Sequence, residues 1–303
     1  MYQTYDIEVL DHPGLSMSLA EKTTLQDSLC KLGALCLNPL PKYQVFDTTS
    51  CNALDDKIIV IARQNGEPVA FLSTIWLPIT ALDTPLLHSG LTVIHPAHQK
   101  TGVNLDLFAN LFLHLIKEHP GGFWMSTLAE VISSLVHVSK YTTRVFPSPE
   151  WSNQHPLGLP SEVHVAIARE ISEKHRDKML ISPSAIFDED VFVFRGSNDS
   201  DQGEAFQKDA DNERYWHRDR EASCFYRKLL RRNKGDEILQ ISFLDPTHLA
   251  NHMRSQRFTG KYGTRASKVT LPQLQVLVLL TLTDNLYRFE GLEMVLSAVD
   301  CVS

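Results

Sequence analysis

The spacing of apolar and polar positions divides the chain into short strands and amphipathic helices. Leu15, Leu19, Leu25, Leu29 and Leu32 recur at helical intervals with charges between them, which predicts one or two helices over 15–37, interrupted near Thr23 and Thr24. Residues 57–63 read as a buried strand and 68–77 as its antiparallel partner, because Asn65-Gly66 in the turn between them takes positive φ at low cost. A further apolar strand, 86–94, runs into His95-Pro96. A helix follows from about Gly102, with Leu105, Phe108, Ala109, Phe112, Leu115 and Ile116 on its core face. Lys117 and Pro120-Gly121-Gly122 predict its end. Residues 123–128 then suggest a strand, and about 133–145 a helix.

The prolines and glycines at 147, 149, 156, 158 and 160 mark a linker, so a boundary is placed near residue 150, with domains 1–150 and 151–303. The second part reads as a helix (161–178), a strand (191–194), a polar loop (196–211), a basic helix (218–232) and a strand (237–244). The loop has too few apolar residues to offset the entropy of ordering, and mobility is expected there. Residues 270–303 are apolar and fit either helix or strand. No repeat of fixed period is present.

Composition narrows the function classes. With 303 residues and 43% apolar content the chain can bury a core, which excludes global disorder. A net charge of −7 has the wrong sign for a nucleic-acid binder, and the basic run 214–234 reads as a solvated helix face with aromatics turned inward. Asp188-Glu189-Asp190 reads as a solvated turn. The five cysteines are scattered without a CxxC pair, so neither a disulfide framework nor a zinc knuckle is indicated. His95 and His98 are separated by Pro96 with no third ligand near, and no metal is expected. The N-terminus carries charges where a signal peptide needs an apolar core, and the apolar stretch 274–282 is too short to span a bilayer. The expectation is a cytoplasmic protein with a small-molecule substrate and neither nucleic acid nor membrane as partner. Its oligomeric state is left open. Signatures of serine hydrolases, P-loop enzymes, dinucleotide-binding folds, zinc proteases and kinases are absent.

The stretch 91–105 carries the chemistry: a strand, a tight loop and a helix N-terminus. Amides at Lys100, Thr101, Gly102, Val103 and Asn104 converge there, and the helix dipole adds roughly half a positive charge, so a pyrophosphate is a natural guest. Ile94, Pro96, Gln99, Gly102 and Asn104 resemble the acyl-CoA signature of the GCN5-related N-acetyltransferase superfamily, with Asn104 in place of its usual small residue. Ser134, Tyr141 and Phe146 fall at the spacing of that family's acid helix, although Val145 stands where the family has Gly and Ser134 where it often has Asn.

The resemblance covers about 55–150, with 15–54 as the family's first helices. It implies an α/β (α+β) fold with a mixed, mostly antiparallel central sheet flanked by helices. By analogy, the C-terminal α/β extension would be a degenerate second half of the same kind. It also implies acetyl-CoA or another acyl-CoA as cosubstrate. The strand ending near Ile94 would splay from the one near Leu128, and Thr92, Val93 and Ile94 would receive the pantetheine arm, with Gln99 to Asn104 holding the pyrophosphate. Tyr141 would protonate the departing thiolate, and Glu130 and His88 are candidate bases. The implied function is acyl-CoA-dependent N-acyltransfer to a small-molecule amine or other nucleophile. Two alternatives stand beside it: the same fold turned to decarboxylation or cyclisation of a small apolar metabolite in a pocket with Phe71, Trp76 and Phe123, or a non-enzymatic partner-binding protein.

Overall fold

The computed structural model describes residues 5–50, 52–155, 157–199, 203–230 and 234–254, and the segment 270–303 lies outside them. In chain order the elements are β1 (Asp6–Asp11), α1 (Pro13–Ser16), α2 (Leu19–Ala34), β2 (Lys57–Gln64), β3 (Glu67–Leu77), β4 (Leu86–Ile94), α3 (Val103–Glu118) and β5 (Phe123–Ala129). They continue with α4 (Ile132–Tyr141), β6 (Thr143–Phe146), α5 (Pro149–Gln154), α6 (Glu162–Lys174), β7 (Ile186–Asp188), β8 (Val193–Arg195), α7 (Arg220–Leu230), β9 (Glu237–Leu244) and α8 (Pro246–Arg254). The chain divides into units Met1–Asp245 and Pro246–Ser303, and α8 is the described helix of the second.

The nine strands of the described residues join one open sheet in the order β1-β2-β3-β4-β5-β9-β8-β7, with β6 also pairing β9. β4 and β5 run parallel and every other described pair is antiparallel. Helices flank this sheet, as the resemblance implies. Strand alternation sorts the layers. Ile59, Ile61, Phe71, Leu91 and Val93 pack with Leu25, Leu29 and Leu32 of α2, while α3 packs on β1 to β4. Farther along, Leu239 and Ile241 pack with Ile167 and Ile171 of α6, and Ile238 packs with Leu135 of α4 and Leu230 of α7. Each fully buried Leu or Ile contributes about 2 kcal/mol.

Several expectations change. β1 was not foreseen in the polar N-terminus; it pairs β2 over six residues. α2 is unbroken at Thr23 and Thr24, because their hydroxyls donate to Leu19 O and Ala20 O, both at 2.9 Å, within the helix. A capping box at Ser18 and Glu21 starts it. On α3 the fully buried stripe is Leu107, Leu111 and Leu115, whereas Leu105 and Phe108 turn to a cavity. The 147–160 stretch folds as α5 and its flanks, with Trp151 packed on Phe146 and His164.

The sheet also runs across residue 150. β9 pairs β5 from Phe123↔Leu244 to Ala129↔Ile238, so residues from the second half complete the sheet of the first. Among the described residues the second half builds no second sheet of its own. In the 196–211 loop, where mobility is expected, Ser197 and Asn198 are buried. Asp188 and Glu189 are ion-paired rather than merely solvated, to Arg195 at 2.8 Å and Arg169 at 2.6 Å. Basic residues of α7 likewise find acids, Arg227 at Asp211 (2.6 Å) and Arg220 at Glu213 (2.9 Å).

Candidate active site

A bulge opens the site. The β3–β4 register passes from Ser73↔Leu91 to Thr74↔Ser89, leaving Gly90 as an extra residue on β4. A side chain there has no room: a Cβ would lie 2.3 Å from Gln44 Nε2 and 3.0 Å from Tyr43 Oη. Gln44 is itself held by Ser73 Oγ, which donates to its Oε1 at 2.7 Å. β4 pairs β5 only over Leu87↔Met125, His88↔Ser126 and Ser89↔Thr127. Beyond the bulge the two strands part, and β4 keeps a strand neighbour on its β3 side alone.

A cavity of about 400 Å³ fills the gap. Its lining comes from both faces of the sheet. Phe108 of α3, and His137 and Tyr141 of α4, lie on one side. Ile238 belongs to the α4–α7 core and Leu239 to the α6 core, so by alternation Glu237 points with Leu239 to the other side. Phe206, which packs with the α2 core, and Lys208 line the cavity as well.

Two carboxyl groups face each other across β5 and β9, since Glu130 and Glu237 lie one position beyond the pair Ala129↔Ile238. Both line the cavity. Glu130 accepts the Lys208 N–H at 2.8 Å and the Gly235 N–H at 3.1 Å, tying two segments of the second half to the end of β5. Burial pushes its carboxyl up to about 7 against the pull of those amides, and the charge of Glu237 adds to the rise. Glu237 accepts the Ser197 hydroxyl at 2.7 Å, and burial pushes it up to about 7. A cavity carboxyl poised near neutrality is suited to moving protons. Sequence reasoning named Glu130 and missed Glu237. Its one signal is an acid at the head of an apolar strand, and nothing local says that β9 lies beside β5.

The other expected residues sort by position. His88 is 1% exposed and is not among the cavity's lining residues. Its Nε2 meets Tyr43 Oη at 3.3 Å and its Nδ1 meets Ser126 Oγ at 3.1 Å, and burial lowers it to about 3. Both ring nitrogens are therefore engaged in a buried link between β4, β5 and Tyr43. Tyr141, the last residue of α4, lines the cavity, and burial raises its phenol. His137 is lowered to about 4 by burial, helped by His217, whose ring lies 5.1 Å away.

α3 begins on Gly102, whose φ of 90° suits glycine. Its carbonyl accepts Leu105 N–H at 2.9 Å, and the amides of Val103 and Asn104 lie in the first turn, where no helical acceptor exists. The preceding loop is fastened: Tyr5 Oη donates to Thr101 Oγ1 at 3.1 Å and meets His98 Nδ1 at 3.1 Å. Gln99 and Lys100 are exposed, with Lys100 at φ 62°. Thr92, Ile94 and Asn104 line the cavity, whereas the Val93 side chain packs in the α2 core. Two buried oxygens in the wall, Asn104 Oδ1 and Thr127 Oγ1, have no hydrogen-bond partner.

No family model matches the chain, and no curated protein does. Several solved structures are similar. The ribosomal-protein-S18-alanine N-acetyltransferase of Escherichia coli is 14% identical over 48% of this chain and 86% of that one, with a TM-score of 0.32. An acyl-CoA N-acyltransferase of Pseudomonas aeruginosa is 13% identical over 46% and 87%, with a TM-score of 0.33. A GNAT family acetyltransferase of Brucella melitensis in complex with acetyl-CoA is 10% identical over 40% and 76%, with a TM-score of 0.30. Those scores are low, so the fold rests on this chain's own strand order, bulge and α3 N-terminus. Together these form the mixed, mostly antiparallel open sheet flanked by helices that the resemblance to the acyl-CoA N-acyltransferase fold implies.

Proposed function

We propose that the chain is an acyl-CoA-dependent N-acyltransferase acting on a small-molecule amine by direct attack on the thioester. The observation that carries this reading is the cavity between β4 and β5, which is lined from both faces of the sheet and takes in Asn104 and Leu105 from the first turn of α3 together with Glu130 and Glu237. Donor and acceptor can then approach from opposite faces and meet in the gap.

The chain's own groups divide the work. First-turn amides of α3 and the Gly102 backbone bind the pyrophosphate of the donor. Asn104 Oδ1 and the free side of β4 near Thr92 and Ile94 take hydrogen bonds from its pantetheine arm. A β4 amide stabilises the tetrahedral oxyanion, worth about 3 kcal/mol for a well-placed donor. Glu237, on the acceptor face, takes the proton from the attacking amine. Glu130, with its two amide partners, holds the 203–216 segment over the acceptor end. Tyr141 gives its proton to the departing thiolate.

Calorimetric titration with acetyl-CoA, followed by thiol release against a panel of small amines, tests the reading. Saturable binding and amine-dependent release are expected. No binding at millimolar acetyl-CoA would overturn it.

A further inference from the structure

At the β1 edge of the sheet, away from the cavity, a second cluster of side chains has the chemistry of a metal site. Asp11 ends β1, while His114 and Glu118 lie four residues apart on one face of the last turns of α3. One donor atom from each of the three falls within 4.8 Å of the other two. His114 Nε2 sits 2.9 Å from Asp11 Oδ2, sharing a proton that a divalent ion would displace. The other oxygen of Asp11 is also held, by His12 Nδ1 at 2.5 Å. A ligating carboxylate oriented through its second oxygen is the usual outer shell of a protein metal site. His12 reaches that position from a left-handed backbone (φ 47°), and its side chain makes no cap to α1. Asp11 and His114 are half-buried and Glu118 is exposed, so the cluster is open to solvent on one side, where water can complete the coordination.

We propose that Asp11, His114 and Glu118 bind a divalent transition-metal ion, with His12 positioning Asp11. One imidazole and two carboxylates suit a borderline ion such as Zn²⁺ over Mg²⁺, which prefers all-oxygen octahedral sites. The ion would clamp the end of α3 to the edge strand β1, which has a single strand neighbour, β2. This role is structural and independent of acyl transfer.

The test uses the untagged full chain, stripped with a chelator and titrated with Zn²⁺ against a chromophoric competitor, alongside thermal melting. One Zn²⁺ per chain and a raised Tm are expected, because the ion binds the folded chain in preference to the unfolded one. Glu118→Gln leaves an exposed position folded and abolishes stoichiometric binding, as does His114→Gln. His12→Ala weakens binding about tenfold. A chain that takes up no Zn²⁺, or takes it up equally well with Glu118→Gln and His114→Gln, overturns the proposal.

Discussion

In the proposed reaction two cavity residues, Tyr141 and Glu237, divide the acid–base work, and each can be tried alone. Tyr141 is raised by burial and stays protonated at neutral pH, as a proton donor must. Tyr141→Phe should lower kcat about 100-fold with acetyl-CoA, and by less with a thioester whose thiol is more acidic; steady-state kinetics with both donors checks this. Glu237 ionises near pH 7 in the folded chain but near its ordinary 4.5 when unfolded. Between those values the folded state holds the extra proton, so ionisation costs stability as pH rises. Glu237→Gln should therefore gain stability relative to the parent as pH climbs from 4.5 to 7, by at most about 3 kcal/mol, read from denaturant melts across that range. The same change should remove the rising limb of kcat/KM near pH 7. Tyr141, singled out by the resemblance at Ser134 and Phe146, lies at the cavity, whereas Glu237 had no such pointer, because its place there comes from a strand that lies more than a hundred residues away in the chain from β5.

At the scale of elements, hydrophobic periodicity located the β2–β3 hairpin, β4, α3, β5 and β9, and its errors have physical causes. An apolar run on all sides of α3 concealed which stripe meets the sheet, since Leu105 and Phe108 face a cavity that periodicity cannot register. The threonines of α2 looked like an interruption, yet their hydroxyls bond back within the helix. β1 is a short strand, DIEVLD, whose apolar Ile7 and Val9 alternate with acids at 6 and 8, and its pairing with β2 is what reveals it. The bulge is the element on which the site depends. Gly90→Ala forces a Cβ against the Gln44 amide, 2.3 Å away. It should cost about 1–3 kcal/mol in chemical denaturation and weaken acetyl-CoA binding measured by calorimetry.

For the whole molecule, the division at residue 150 has a direct consequence. A fragment of residues 1–150 lacks β9, so β5 becomes an edge and Glu130 loses both amide partners. Such a fragment should show no cooperative unfolding transition by circular dichroism and should aggregate through the bared strand. A cooperatively folded 1–150 would contradict the continuous sheet. The second half contributes Phe206, Lys208 and Glu237 to the cavity.

By itself the sequence determined the local matters: turn chemistry at Asn65-Gly66, the stop at Pro120-Gly121-Gly122, and the glycine that opens α3. These follow from backbone sterics and short-range hydrogen bonding, which a few neighbouring residues settle. The insertion of β9 beside β5, the pairing of Glu130 with Glu237, the withdrawal of His88 into the core and the meeting of Asp11 with His114 were decided by the tertiary structure. Each depends on which apolar faces find one another across long separations in the chain, and no local pattern encodes that choice.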